Sequence, residues 1–460
     1  MKQVLKIKVL FFLCSILVFN HTNAQHLKRK AFLGVLMETL TDSLATQRSL
    51  DNIPGVYITS VIENSTFSKL GVKEGSILTK LNDKSIVNIQ DVLDLTSQLY
   101  EGDTIMVEFF LNKIKQSKAT TLMGRPKEKF KNGNVIYGEV VYKDNVLRSI
   151  LVTPKNTNKS PVIYFLQGYT CGSVETVSDD NPMKKLFNDW LNAGFAIYRI
   201  EKPGVGDSKS KKHCFQINFD EELKAFNEGY KNLIQQENID ANNIFMFGHS
   251  MGGVIAPLLN EIQSPQGIMV YGTVGKNWYD YMVDLYTIQP KHFGVSDSEI
   301  KEDSKINLSF NKDLLINKLS GPEILKNKTY AEFFSANESN LRQNQYIGRH
   351  FKFWQNLADI NIPKTWSNVK TNVLAMHGEF DIQAINPKGA KKIAEIVTEN
   401  GGNGDFMLIK KADHGFVNFN SMQQNVQTLG NGTYMNHARN NYSSELGIES
   451  INWIKSKIKK

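Results

Sequence analysis

The stretch Ile244-Phe245-Met246-Phe247-Gly248-His249-Ser250-Met251-Gly252-Gly253 decides how this chain is read. Its four leading apolar residues predict a strand, and the pattern over 251–262 predicts a helix after it. Between the two stands a serine with a glycine two residues to either side. At such a turn the serine adopts a strained backbone, the glycines remove Cβ atoms that would clash, and the hydroxyl stands exposed. The N–H groups and positive end of the following helix face the place where an oxyanion develops. Ser250 is therefore the candidate nucleophile.

A serine hydroxyl is a weak nucleophile without a base, and the base needs a third group to fix its tautomer. Downstream, the apolar run Val373-Leu374-Ala375-Met376 enters His377-Gly378-Glu379-Phe380-Asp381, whose Asp381 is the candidate acid. Glu379 reads as a solvated turn residue, and His377 as packing at the strand end. The candidate base is His414 in Lys411-Ala412-Asp413-His414-Gly415-Phe416, where a loop after a predicted strand (406–409) can reach back over the elbow. Asp413 cannot easily orient its own neighbour's ring and reads as a turn former. His437 falls in a polar segment and reads as surface.

Strands over 161–166, 195–200, 244–247, 267–271, 372–376 and 406–409 alternate with helical patterns over 183–191, 221–235, 251–262, 387–398 and 445–458. That alternation predicts a mostly parallel sheet covered on both faces. A hairpin over 136–141 and 147–153 leads in. The long strandless stretch before 372 reads as a helical lid, about 277–365, because structureless loops of that length are uncommon in compact domains. Its aromatics, including Trp278, Tyr279, Tyr281, Phe333, Phe334, Phe351, Phe353 and Trp354, either line a pocket or form the lid's own core.

On these residues, 137–460 resembles the α/β-hydrolase superfamily, particularly its exported bacterial esterases and serine-aminopeptidase-like members. The order Ser, acid, His along the chain is that of the fold. The resemblance implies that Gln167-Gly168-Tyr169 stands where relatives carry His-Gly-X, so that the backbone N–H groups of Tyr169 and Met251 form the oxyanion hole. It implies that Pro203-Gly204-Val205-Gly206-Asp207-Ser208 shapes the site wall. It also implies that Cys171 and Cys214, both after strands bordering the site, can form a disulfide bracing the oxyanion loop; two reduced, buried thiols are the alternative. No Cys, His and carboxylate grouping has zinc spacing, so neither metal nor cofactor is expected.

Residues 25–112 change character: short β-like runs surround one amphipathic helical stretch, 89–99. Leu70-Gly71-Val72-Lys73-Glu74-Gly75-Ser76-Ile77-Leu78, with Leu81-Asn82 and Gly102-Asp103-Thr104-Ile105, resembles a bacterial PDZ domain of the kind attached to periplasmic proteases, with Ser76 in place of the usual Asp. In that resemblance Phe32-Leu33-Gly34-Val35 is the carboxylate-binding loop. The implied partner is a protein C-terminus captured by strand addition; a spacer that only packs on the hydrolase is the alternative. The polar stretch 113–136 reads as a linker.

At 460 residues the chain exceeds one ordinary domain, and 41% hydrophobic with 22% charged residues fits folded protein throughout. Lys2, Lys6 and Lys8, then an apolar run over 9–19, then Thr22-Asn23-Ala24, read as a secretory signal over 1–24 that leaves Gln25 first. The run is much shorter than the roughly 20 residues that span a bilayer, so stable membrane insertion is not expected. Losing those lysines lowers a formal charge of +8, and the remaining basic residues are interspersed with acids, which excludes a nucleic-acid stripe. The expected protein is thus a periplasmic or secreted serine hydrolase with an α/β fold, a helical lid and a PDZ-like module in front. Carboxylic ester hydrolysis is the first reading. A serine peptidase with the same residues and a non-catalytic PDZ peptide-binding protein are the alternatives.

Overall fold

A computed structural model describes residues 27–40, 45–46, 53–155 and 157–459; the signal expected over 1–24 lies outside the described residues. The first folded unit is an antiparallel sheet of β1 (Val35–Thr39), β2 (Val56–Val61), β3 (Ile77–Leu81), β4 (Lys84–Ser85), β5 (Thr104–Leu111) and β6 (Ile114–Thr121). Its order is β1-β2-β3-β5-β6, with β4 paired to β3, so β1 is an edge. Val56, Ile58, Leu78, Val107 and Phe109 form its core with Phe67 and Val92 from the helices Thr66–Leu70 and Ile89–Thr96. This is the small, mainly-β PDZ-like domain. Ser76 fits the departure noted in its motif: its buried hydroxyl accepts the Lys73 N–H at 3.2 Å and closes the turn.

The stretch 113–136 is not a linker throughout. Residues Ile114–Thr121 pair along the whole of β5, and Glu128 and Phe130 are buried against the second domain. The strand β6 escapes a reading of apolar alternation because most of its residues are exposed: it is a lysine-bearing edge, as solvent-facing edges commonly are.

The second unit is built on β7 (Gly133–Tyr142), β8 (Asn145–Pro154), β9 (Ser160–Leu166), β10 (Ala196–Ile200), β11 (Ile239–His249) and β12 (Gly267–Tyr271). The lid follows, with helices Trp278–Thr287, Asp297–Leu315, Phe351–Ala358 and Ile362–Ser367 and a small hairpin of β13 (Gln345–Tyr346) and β14 (Arg349–His350). Strands β15 (Asn372–Gly378) and β16 (Asn403–Ile409) complete the sheet. The order β16-β15-β12-β11-β9-β10-β8-β7, parallel from β16 to β10 and antiparallel beyond, is that of the α/β-hydrolase fold.

Alternation along each strand makes two cores. Tyr164, Leu166, Met246, Ile268 and Val270 pack under the helices Phe219–Ile234 and Gly252–Leu259 and under the lid. Ile163, Phe165, Phe245, Phe247 and Met269 pack on the helices Pro182–Asn192 and Ser444–Lys457. Strand β9 lies between β11 and β10, so the chain leaves it in one direction and returns on its other side. Such a switch point opens a crevice at the carboxyl ends of the strands. The loops after β9 and β11 meet there.

Candidate active site

Ser250 has φ +55, a left-handed backbone that a non-glycine residue adopts only when its surroundings impose it. They do so here through the Ser250 N–H, which donates to Tyr271 O at 2.9 Å, and through close packing. A Cβ on Gly248 would lie 2.5 Å from Gly252 O, and one on Gly252 would lie 2.0 Å from Leu166 O. A side chain at Gly248 would force apart the elbow's own turn, and one at Gly252 would push the elbow off the end of β9.

Asp381, in the turn after β15, and His414, in the loop after β16, are brought together. His414 Nδ1 lies 2.8 Å from Asp381 Oδ2, and both residues are buried. The carboxylate fixes the tautomer, with the proton on Nδ1 and the lone pair on Nε2. Asp381 Oδ1 accepts the N–H groups of Gln383 at 2.8 Å and Ala384 at 2.9 Å. Burial alone would raise the Asp381 pKa, but the charge and hydrogen bond of His414, with the Ala384 amide, hold it at about 2. For His414, burial works downward and is outweighed by the Asp381 charge and hydrogen bond, so its pKa is raised.

His414 and Ser250 line one cavity of about 50 Å³ with Tyr169, Met251, Val254, Val274, Trp278 and Tyr281. Gly168 closes over the serine: a Cβ there would be 3.2 Å from Ser250 Cβ. Among the described residues, no acceptor takes the backbone N–H of Tyr169 or of Met251. Cys171 and Cys214 are joined in a disulfide, which ties the Tyr169 loop to the turn Cys214–Gln216.

The neighbouring candidates have other employment. Asp413 accepts from Gly415 N–H (2.8 Å), Val417 N–H (2.9 Å) and Tyr434 OH (2.7 Å), so it shapes the turn that carries His414. Burial raises its pKa to about 6, against those hydrogen bonds. His377 is buried at the end of β15, Glu379 accepts the Lys411 N–H, and His437 stacks on Phe419. Of the lid aromatics, Trp278 and Tyr281 face the cavity, whereas Phe334, Phe351 and Phe353 are core.

Sequence reasoning missed three supports. His249 Nε2 meets His414 O at 2.9 Å. Burial, then the nearby His414, lowers the His249 pKa to about 3, so its neutral ring donates to that carbonyl. A buried cluster of Lys202, Glu222 and Arg349 stands behind the Tyr169 loop. Finally, the Gly-rich loop 203–208 contributes no residue to the cavity wall; its Asp207 instead accepts Arg29 Nη1 at 2.6 Å, and Glu175 accepts Nη2 at 2.7 Å. A buried arginine three residues ahead of Phe32 thereby joins the two domains.

The expected carboxylate loop, Phe32 to Val35, lies at the start of the edge strand β1. Its carbonyls are taken, Phe32 O by the Thr66 hydroxyl (2.7 Å), Leu33 O by Phe67 N–H (3.1 Å) and Gly34 O by Ile62 N–H (2.8 Å). The N–H groups of Leu33 and Gly34 meet no acceptor among the described residues.

The model of the serine aminopeptidase S33 family matches residues 180–293, a span that includes Ser250 and ends before Asp381 and His414. A probable periplasmic serine endoprotease, DegP-like, of Marinomonas sp. (strain MWYL1) is 27% identical over 99 residues, 22% of this chain. The match spans only 21% of that relative's length. Among solved structures, Est1E from Butyrivibrio proteoclasticus with bound ferulic acid is 13% identical, covering 64% of this chain and 97% of its own, with TM-score 0.41. The acylaminoacyl peptidase of Pyrococcus horikoshii is also 13% identical, covering 78% of this chain and 55% of its own, with TM-score 0.45.

Proposed function

We propose that this serine hydrolase of the α/β-hydrolase fold cleaves a carboxylic ester by acyl transfer to Ser250. The observation that carries the reading is the 2.8 Å pair of His414 Nδ1 and Asp381 Oδ2, with His414 and Ser250 lining one cavity. His414 Nε2 takes the hydroxyl proton as Ser250 Oγ bonds to the carbonyl carbon, and Asp381 stabilises the imidazolium that forms. The carbonyl oxygen gains the displaced electron pair and is held by the N–H groups of Tyr169 and Met251. The alcohol leaves with the proton from His414, and water releases the acid by the same route in reverse.

The cavity lining favours an ester over an aminopeptidase substrate. A free α-amino group needs a carboxylate beside it, and among the described residues no acidic side chain lines this cavity. Tyr169, Val254, Val274, Trp278 and Tyr281 suit a neutral, apolar or aromatic acyl group. In the same proposal the leader directs export, and the Phe32 to Val35 loop receives a protein C-terminus.

A panel of p-nitrophenyl esters and aminoacyl p-nitroanilides, with free and blocked α-amines, tests the substrate class. Ester turnover should exceed that of every free-amine anilide, and the opposite ranking overturns the ester reading. Ser250→Ala should lose turnover by a factor of at least about 10⁴ and escape a phosphonofluoridate label. Surviving activity or label sinks the assignment of the nucleophile.

A further inference from the structure

We infer that Lys202, Glu222 and Arg349 form a positioning device for the oxyanion loop, in which Lys202 and the lid residue Arg349 hold the Gly168 and Tyr169 carbonyls so that the Tyr169 N–H faces Ser250. The inference rests on the reading of Tyr169 as an oxyanion donor.

Lys202 Nζ donates to Gly168 O at 2.6 Å, and Arg349 Nη1 donates to Tyr169 O at 2.6 Å. Between the two cations lies Glu222, with Oε1 at 2.8 Å from Lys202 Nζ, an ion-pair contact, and Oε2 accepting Arg349 Nη2 at 2.6 Å. All three side chains are fully buried. The bond between Gly168 and Tyr169 is trans, since the described chain contains no cis peptide. Across a trans peptide the C=O and the N–H point in opposite directions. A cation that fixes the Gly168 carbonyl therefore fixes the direction of the Tyr169 N–H.

Stability gives a poor account of such a cluster, because burying two cations for one carboxylate costs desolvation that mutual attraction repays incompletely. Beyond Glu222, Lys202 Nζ and Arg349 Nη1 end on the two carbonyls of the oxyanion loop, while Arg349 Nη2 also meets Ile217 O at 3.3 Å. Two of the three members are set by their local backbone. Glu222 sits in the first turn of the helix Phe219–Ile234, where Asn218 and Glu221 form a capping box and the helix end favours an acid. Arg349 follows the hairpin turn Ile347-Gly348, in which Ile347 has φ +46. A left-handed β-branched residue is an outlier that persists only where its surroundings impose it, and such strain clusters at sites in use. Arg349 also spans from the lid to the loop, so lid placement and oxyanion geometry are one event.

The test uses the full chain, with folding followed by near-UV circular dichroism and melting. Folded Lys202→Met should lose kcat for the best p-nitrophenyl ester by about tenfold to a hundredfold with KM nearly unchanged, short of the roughly 10²- to 10³-fold for removing a donor outright. A trifluoromethyl ketone, whose adduct with Ser250 carries an oxyanion in the same place, should lose affinity by the same factor as kcat. Arg349→Lys, which keeps the charge beside Glu222 but not the guanidinium fork, should move both readings less. A purely structural role would lower the melting temperature and leave the affinity ratio of ketone to substrate alone. Unchanged kcat and ketone affinity in folded Lys202→Met, or in Arg349→Lys where only that variant folds, overturns the inference. Failure of both variants to fold overturns it too, since the cluster would then be a general support. Should Ser250→Ala be inactive while Lys202→Met works like the wild type, the inference falls and the proposed function stands.

Discussion

Two loops of this chain present backbone N–H groups that meet no acceptor among the described residues, and they are held in opposite ways. The loop after β9 has its carbonyls gripped by buried cations, its flank closed by the Cys171 to Cys214 disulfide and its glycine seated on Ser250. The loop before β1 has its carbonyls satisfied by a threonine hydroxyl and ordinary amides, and it opens on a sheet edge. Preorganised donors are worth most where charge develops in a closed site and nothing must reorganise. An incoming strand instead needs an open edge with unused hydrogen-bonding groups. In the proposed reading the same leftover, a backbone amide without an acceptor among the described residues, serves chemistry in one place and capture in the other because of what surrounds it.

The comparison breaks first if the catalytic side is not fixed as described. Asp381→Asn keeps the shape but leaves His414 with the wrong tautomer, so kcat should fall by about 10⁴-fold in a folded protein. The pH profile sharpens the point. Turnover needs neutral His414, and Asp381 raises its pKa, so the acid limb of kcat/KM should lie above the ordinary histidine value of 6.5. In the variant the limb should move to lower pH. A wild-type limb at or below 6.5 would show that the pair does not act as a unit.

Opening the flank is the next break. Cys171→Ser with Cys214→Ser should cost about 2–4 kcal/mol of stability by chemical denaturation. It should lower kcat by roughly threefold to tenfold, below the 10²-fold that a 1 Å misplacement can cost. A double variant as active as the wild type, but less stable, would assign the bridge to the fold alone.

How much of this was legible in the sequence follows from how local each signal is. The elbow around Ser250 was readable because strand, glycines and helix are contiguous, and Asp381 and His414 because each follows a strand in a fixed chain order. The loop proposed to hold the oxyanion is assigned only through resemblance, since a free amide leaves no mark on composition. Lys202, Glu222 and Arg349 come from a loop, a helix and the lid, and nothing in their separate surroundings announces that they meet. His249 hid inside the motif that named its neighbour. Strand β6 was lost because an exposed edge carries no apolar alternation, and Asp207 was drawn to the site wall by its glycines although its partner, Arg29, lies in the other domain.

The smallest expected effect concerns the open loop. A peptide ending in a free carboxylate should bind the full chain at least tenfold more tightly than the same peptide amidated, as fluorescence anisotropy would read. The factor follows from hydrogen bonds to a charged group, worth about 1.5–3 kcal/mol. Binding should change turnover of a small ester by less than about twofold. The reason lies in the joint: Arg29 holds Asp207 and Glu175, and the Lys30 N–H donates to Asp207 Oδ1 at 2.9 Å, so the stem of the loop is anchored before Phe32 begins. Occupancy adds a strand at β1 without loosening that anchor, and nothing reaches Ser250. Equal binding of the two peptides would return the module to the role of a spacer. Competitive inhibition of the ester by the free peptide would place it in the catalytic cavity instead, and the contrast between the two loops would be wrong.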